Sequence, residues 1–191
     1  MGYKTYITEA LVCGSRPSNT SDRSYLLFTR EAGMLYANAK SVREERSKQR
    51  YALQEFSYVR TTLIHGKSGW RVTGTEPLTN VYTNKRTREA RALVRNVIRL
   101  LRRLIHGEFP HDALYDEVRG VLMRFSEGNE TDIEEIFTLR VLHMLGYISP
   151  VPELKEIFTD ADIDSVALVL DPKTKKTRKA SIAFALRESH L

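Results

Sequence analysis

The first 80 residues alternate between apolar and polar with a period of two. Tyr6, Thr8, Ala10 and Val12 interleave with Thr5, Ile7, Glu9 and Leu11, which predicts a β-strand. The Ser-, Asn- and Pro-rich stretch from Gly14 to Asp22 reads as a turn. Two further strand-like runs, from Tyr25 to Thr29 and from Met34 to Ala39, meet at Glu31-Ala32-Gly33, a short hairpin with Gly33 available for positive φ. After a charged connection, the chain from Gln54 to Ile64 predicts a long strand, His65 to Gly69 a turn, and Trp70 to Glu76 a fifth strand. Five strands in so short a span fit a small closed barrel of the OB type.

From Thr83 the period becomes helical. Ala90, Leu93, Val94, Val97, Leu101 and Leu104 fall on one side of a helix, while Arg88, Arg91, Arg95, Arg99 and Arg102 form a stripe on the other. Gly107 and Pro110 end it. A second helix runs from about Asp112 to Ser126, with Leu114, Val118, Val121, Leu122 and Phe125 inward. Thr131, with Glu134 completing a capping box, opens a third. That helix presents Ile133, Ile136, Phe137, Leu139, Arg140, Leu142, His143 and Leu145 and stops at Gly146. Beyond Pro150 and Pro152, the segment from Leu154 to Phe158 suits a short helical turn. The run from Val166 to Leu170 fits either strand or buried coil, Asp171 to Thr174 is a turn, and a final helix spans about Thr177 to Glu188 through Ala180, Ile182, Ala183 and Leu186. The expectation is an α+β chain, with an N-terminal five-stranded OB-type β-barrel over residues 1–80 followed by an α-helical domain over 81–191.

Composition narrows the function classes. No run of about 18 apolar residues is present, so no membrane span is expected. The first residues lack the apolar core of a signal peptide, and Tyr6 stands where a myristoylation motif needs Ser or Thr. The single cysteine, Cys13, excludes an internal disulfide and a thiolate-rich zinc site, and reads as a small buried hydrophobe in a reduced, cytoplasmic protein. The net charge of +6 is uneven. Residues 1–80 hold 12 Lys/Arg against 7 Asp/Glu, residues 81–125 hold 10 against 5, and residues 126–191 hold 8 against 12. A basic front and an acidic back point to a polyanionic partner for the front.

The charged connection between the third and fourth strands is the leading site. Lys40, Arg43, Arg46, Lys48 and Arg50 stand at irregular short spacing on what reads as a flexible loop, which can follow phosphates without reading sequence. Arg16, Arg23 and Arg30 extend this track if their strands face the same way. Glu44 and Glu45 partly cancel the charge, so a solvated loop is the competing reading. Tyr36, Tyr51, Tyr58 and Trp70 are candidate platforms for base stacking, with Tyr51, beside the loop, the best placed. The arginine stripe from Arg88 to Arg102 has Glu89 as its near acid, about 100° around the helix from Arg88, and suits a second DNA surface or an acidic peptide.

Other chemistry finds little support. Asp160, Asp162, Asp164 and Asp171 match four places of a calcium loop, but Ser165 replaces its glycine and the closing Glu is missing, so a solvated acidic turn is the better reading. His65, His106, His111, His143 and His190 form no catalytic or metal grouping, with His143 suited to a core or interface. Glu134 and Glu135 suit a helix first turn. There is no phosphate-cradling Gly-x-x-x-x-Gly-Lys motif. No enzyme, cofactor or metal is expected.

Several segments resemble the RecO family of recombination mediators. They are Glu9-Ala10-Leu11-Val12, Asp22 leading into Leu27-Phe28-Thr29-Arg30-Glu31-Ala32-Gly33, Ala39-Lys40-Ser41-Val42-Arg43, Ala52-Leu53-Gln54-Glu55-Phe56-Ser57 and Thr73-Gly74-Thr75-Glu76. Leu139 to Tyr147 and the final Ala185-Leu186-Arg187-Glu188 extend the likeness. The resemblance implies an OB barrel followed by a helical domain, and binding of single- and double-stranded DNA with annealing of complementary strands. It also implies partnership with RecR and with the acidic C-terminal tail of single-strand binding protein, and a nucleoid-associated location in the cytoplasm. Many members of the family carry a four-cysteine zinc site after the Leu-Gly-Tyr segment. Here Ile148-Ser149-Pro150-Val151-Pro152 leads on without cysteine, so zinc is not expected, and the chain is short for the family. Two alternatives remain: a protein-interaction adaptor with incidental DNA contact, and a metal-dependent nuclease using acidic C-terminal residues such as Asp162.

Overall fold

The structure, a computed structural model, describes residues 4–188 and divides into two compact units. The first joins the chain up to Asn84 with Ile105–Tyr115, and the second joins Lys85–Leu104 with the chain from Asp116 onward.

Five strands build the first unit: β1 (Thr5–Pro17), β2 (Arg23–Thr29), β3 (Gly33–Ala39), β4 (Ser57–Gly66) and β5 (Gly69–Asn80). They close in the order β1-β2-β3-β5-β4, as the sequence expectation of an OB-type barrel required. Ring closure depends on β1, whose first half pairs with β4 (Thr5 opposite Ile64) and whose second half pairs with β2 (Pro17 opposite Arg23). An irregularity between Val12 and Gly14 shifts the register there, and such a shift bends a strand and increases its twist. The one parallel contact, Ala37 to Ala39 of β3 with Trp70 to Val72 of β5, completes the circuit.

The period-two pattern fills the interior. Ala10, Val12, Tyr25, Leu27, Leu35, Ala37, Ala39, Val59, Leu63 and Val72 pack in one cluster, joined by Val42 and Leu53 from the connection between β3 and β4. Residues of opposite parity meet the returning segment of the same unit. Phe28 and Tyr58 pack around Tyr115, with ring centroids 5.5 and 6.4 Å from it, and the Met34 amide donates to the Gly107 carbonyl. Gly33, at φ +63, sits where a Cβ would collide with the Phe109 backbone.

Three strand boundaries differ from expectation by more than two residues. Gly14 to Pro17 continue β1 instead of turning, because a second partner strand, β2, satisfies their backbone groups. β4 starts at Ser57: Gln54 to Phe56 form a turn, Phe56 takes φ 70, and its amide donates to the Val12 carbonyl. β5 runs on past Glu76 to Asn80, paired with the start of β4.

Six helices occur among the described residues. A short one, α1 (Lys48–Ala52), ends the charged connection, so that segment is not wholly loop. The others are α2 (Arg88–Leu104), α3 (Asp112–Arg124), α4 (Glu130–Met144), α5 (Ile163–Val169) and α6 (Lys175–Glu188), with 3-10 turns at Pro152–Phe158 and Pro172–Thr174. In the second unit α2 buries the apolar side expected of it, together with Ile98. α4 is buried continuously from Glu135 to Leu142 and contacts α2, α5 and α6, which makes it the central element of this unit.

Three expectations in this unit are corrected. Asn129, not Thr131, occupies the N-cap of α4, placing Thr131 inside the helix. His143 is exposed, its ring 5.0 Å from Phe158. Val166 lies in a helix, α5, because the Asp162 carboxylate accepts from the Ser165 amide and caps it. The final helix is present as α6, which buries Arg178 and Ala185. Arg178 can be buried because it donates to Glu135 and Asp132 of α4, each at 2.7 Å, and to the Thr174 hydroxyl at 2.8 Å.

Candidate nucleic-acid interface

The charged connection is held to the barrel at both ends, unlike the flexible loop expected from its composition. At its start, the Asp22 carboxylate accepts from the Ser41 amide at 2.8 Å and from the Asn19 side chain at 3.2 Å. The Arg43 amide donates to the Ser21 carbonyl, and Val42 inserts into the barrel core. The Ser41 amide, then Asn19, and more weakly the charge of Lys40, hold the Asp22 carboxyl below its ordinary range. At its end, α1 delivers Ala52 and Leu53 into the interior.

This anchoring shapes a groove of about 670 Å³ lined by Ser15, Arg23, Tyr25, Val42, Arg43, Arg50, Tyr51, Leu53, Gln54 and Glu55. Arg23, Arg43, Arg50 and Tyr51, singled out in the sequence as DNA contacts, therefore converge on one cavity. The volume suits one small ligand or one unit of a polymer. Arg23 reaches it from the inward-facing side of β2, beside Ser15, whose hydroxyl accepts from an Arg23 Nη at 3.4 Å. The Arg23 Nε is buried and has no hydrogen-bond partner. With the Nε closed to solvent, an incoming anionic acceptor is met by the terminal nitrogens of this half-buried guanidinium. Tyr25 lies beside it, its phenol pushed up by burial and drawn partly back by the Arg23 charge.

Tyr51 is 67% exposed at the groove's edge, a geometry open to stacking. The other three aromatics divide. Tyr36 is exposed but already carries the Arg16 guanidinium 4.3 Å from its ring centroid. Tyr58 is fully buried. Trp70 is buried, edge-on to Tyr6 at 5.1 Å, with its indole N–H donating to Glu108 at 2.8 Å. Tyr58 and Trp70 thus hold the barrel together and offer no exposed face.

The remaining basic residues do not form one track. Lys40, Arg46 and Lys48 are exposed near the groove in sequence but do not line it. Arg16 lies on the opposite side of the sheet from Arg23, since the shift after Val12 sets Ser15 opposite Tyr25 and Arg16 opposite Ser24. Arg30 sits 5.3 Å from the Tyr115 ring. Sequence reading missed Ser15, Tyr25, Gln54 and Glu55 as groove residues. The alternation of Arg23 with Tyr25 was a usable signal, but the β1 irregularity was not legible.

On α2, in the second unit, Arg88, Arg99 and Arg102 are exposed and Arg91 and Arg95 half-buried. Arg91 Nε donates to the Lys85 carbonyl at 3.0 Å and Arg99 to Asn96 at 3.2 Å. Part of the stripe therefore serves the helix itself. The acidic segment has other work than holding calcium. Both Asp164 oxygens accept from the Ser126 amide at 3.0 Å, Asp162 caps α5, and Asp171 accepts from the Lys173 amide at 2.9 Å. Among the described residues no group of three or more His, Cys, Asp or Glu could hold a metal ion, and no helix is long and apolar enough to cross a membrane.

Residues 1–81 match the family model described as the recombination protein O N-terminal domain. The chain is 29% identical over 154 residues to the DNA repair protein RecO of Desulfitobacterium hafniense, covering 79% of this chain and 55% of the relative. It is 25% identical over 150 residues to the DNA repair protein RecO of Dehalococcoides mccartyi, covering 78% and 58%. A RecO of Heliobacterium modesticaldum is 39% identical over 75 residues, covering 39% and 28%. The chain spans a little over half the length of the first two.

Proposed function

We propose that this chain, similar to the RecO DNA repair proteins, is a non-enzymatic DNA repair and recombination mediator that binds single-stranded DNA at the barrel groove. The observation that carries the reading is the convergence of Arg23, Arg43, Arg50 and the exposed Tyr51 on one cavity of the OB-type barrel. Three guanidinium groups neutralise successive phosphates, and Tyr51 offers an apolar face to a base. Lys40, Arg46 and Lys48 continue the positive surface along the anchored connection, so the strand is gripped by backbone charge more than by sequence.

Annealing follows from the same electrostatics, because a surface that screens phosphate repulsion lets two complementary strands approach. Double-stranded DNA, RecR and the acidic tail of single-strand binding protein are the further partners, with the α2 stripe, chiefly Arg88, Arg99 and Arg102, the surface for the tail or for a second DNA segment. The working location is the cytoplasm, at the nucleoid.

The test is fluorescence-anisotropy binding of a labelled single-stranded oligonucleotide across a salt series, for the wild type and for a variant with Arg43, Arg46, Lys48 and Arg50 changed to Ala. Tight wild-type binding that the substitutions weaken is the expected result. Weak binding, equal in both proteins, removes DNA from the groove and favours a protein-interaction adaptor.

A further inference from the structure

The groove wall contains one acid. Glu55 lines the cavity beside Arg23, Arg43, Arg50 and Tyr51, and its carboxylate has no hydrogen-bond or ion-pair partner among the described residues. An unpaired carboxylate in a phosphate-binding groove repels the ligand's backbone, so its presence calls for a compensating contact. Its backbone is well fixed. The Glu55 carbonyl accepts from the Asn80 side chain at 3.0 Å, and the next residue, Phe56, is locked at φ 70 with its amide on the Val12 carbonyl. The side chain therefore projects from a set position in the barrel rather than from a free loop.

We infer that Glu55 is a specificity-determining residue of the groove, accepting a hydrogen bond from the exocyclic amino group of a nucleotide base. The inference rests on the reading of the groove as a single-stranded DNA site. With the phosphate held by the arginines and the base against Tyr51, the polar side chains left on the wall to meet the base edge are Ser15, Tyr25, Gln54 and Glu55, and Glu55 is the one carboxylate among them. An ionised carboxylate only accepts. It suits the N4 amino group of cytosine, and equally an amino group of adenine or guanine. It is a poorer match for thymine or uracil, whose one edge donor, the imide N3–H, is flanked on both sides by the O2 and O4 acceptors that repel it. The groove thus disfavours thymine, and a binding surface otherwise indifferent to sequence acquires a base bias.

The experiment compares oligo-deoxycytidine with oligo-deoxyuridine of equal length at neutral pH and fixed salt, using the full chain. Uridine serves instead of thymidine so that no methyl group enters the comparison. The wild type binds the cytidine oligomer about three- to tenfold more tightly. Glu55→Ala binds both more tightly, because a negative charge has left the groove, and the ratio falls to one. Equal affinities in the wild type, or a ratio that survives in Glu55→Ala, overturns the inference while leaving the DNA site intact, provided that Arg43→Ala and Arg50→Ala still weaken both oligomers. Binding to neither oligomer, or binding indifferent to those arginines, overturns the DNA reading and the inference with it.

Discussion

Arg23 differs from the other basic residues of the groove in being half-buried, with its Nε closed to solvent and unbonded. A charge-assisted bond from a desolvated donor is worth more than one from an exposed lysine. Arg23→Met is expected to weaken oligonucleotide binding about tenfold or more, while the same removal of charge at exposed Arg46 costs less. Anisotropy titrations of the two variants at one salt concentration check this order. Asp22 works one step away, by holding the Ser41 amide and so the start of the charged connection. Its folded pKa is depressed, so its contribution to stability is present above the unfolded value of 3.8 and is lost as pH falls through the lower folded value. Thermal melts taken from pH 6 downward should therefore show the wild type losing an increment of Tm in the acid range below about 3.8 that Asp22→Ala lacks.

At the scale of elements, two buried arginines do for the helical unit what apolar packing does for the barrel. Arg140 of α4 donates to the carbonyls of Ile157, Thr159 and Ala161 at 2.7, 3.0 and 2.8 Å and to Glu117 at 3.1 Å. It thereby satisfies an irregular stretch whose carbonyls have no ladder to join. Arg178 plays the matching part between α6 and α4. Arg140→Leu leaves Glu117 and three carbonyls without their donor, and is expected to lower unfolding stability by about 3 kcal/mol. Urea denaturation followed by circular dichroism measures the difference, and a change within ~0.5 kcal/mol contradicts the account.

Over the whole molecule, the excess of positive charge lies in the first 125 residues and the acids are concentrated after them. Binding by such a surface releases condensed counterions, so log affinity should fall linearly with log salt. For single strands the slope is about −0.7 for each phosphate neutralised, and removing Arg43, Arg46, Lys48 and Arg50 should make it shallower by up to about 3. A smaller change identifies which of the four lie off the bound strand. Arg46 and Lys48, outside the groove lining, are the first expected to drop out.

The sequence alone determined the five strands, their order of occurrence, the apolar side of α2 and the family likeness, because these follow from short-range periodicity and local turn chemistry. It also placed the basic residues on the connection after β3. What it could not decide is anything set by partners distant in the chain. Arg16 and Arg23 look alike as a basic pair, yet one irregularity in β1 sends them to opposite faces of the sheet. Tyr58 and Trp70 match Tyr51 as candidate platforms, but their burial depends on Tyr115 and Glu108, far along the chain. The four aspartates resemble a calcium loop until Ser126 and the caps of α5 and the Pro172–Thr174 turn claim three of them. The groove itself, with Glu55 among its arginines, forms where Asp22 and Val42 fasten the connection to the barrel, contacts between residues far apart in the chain.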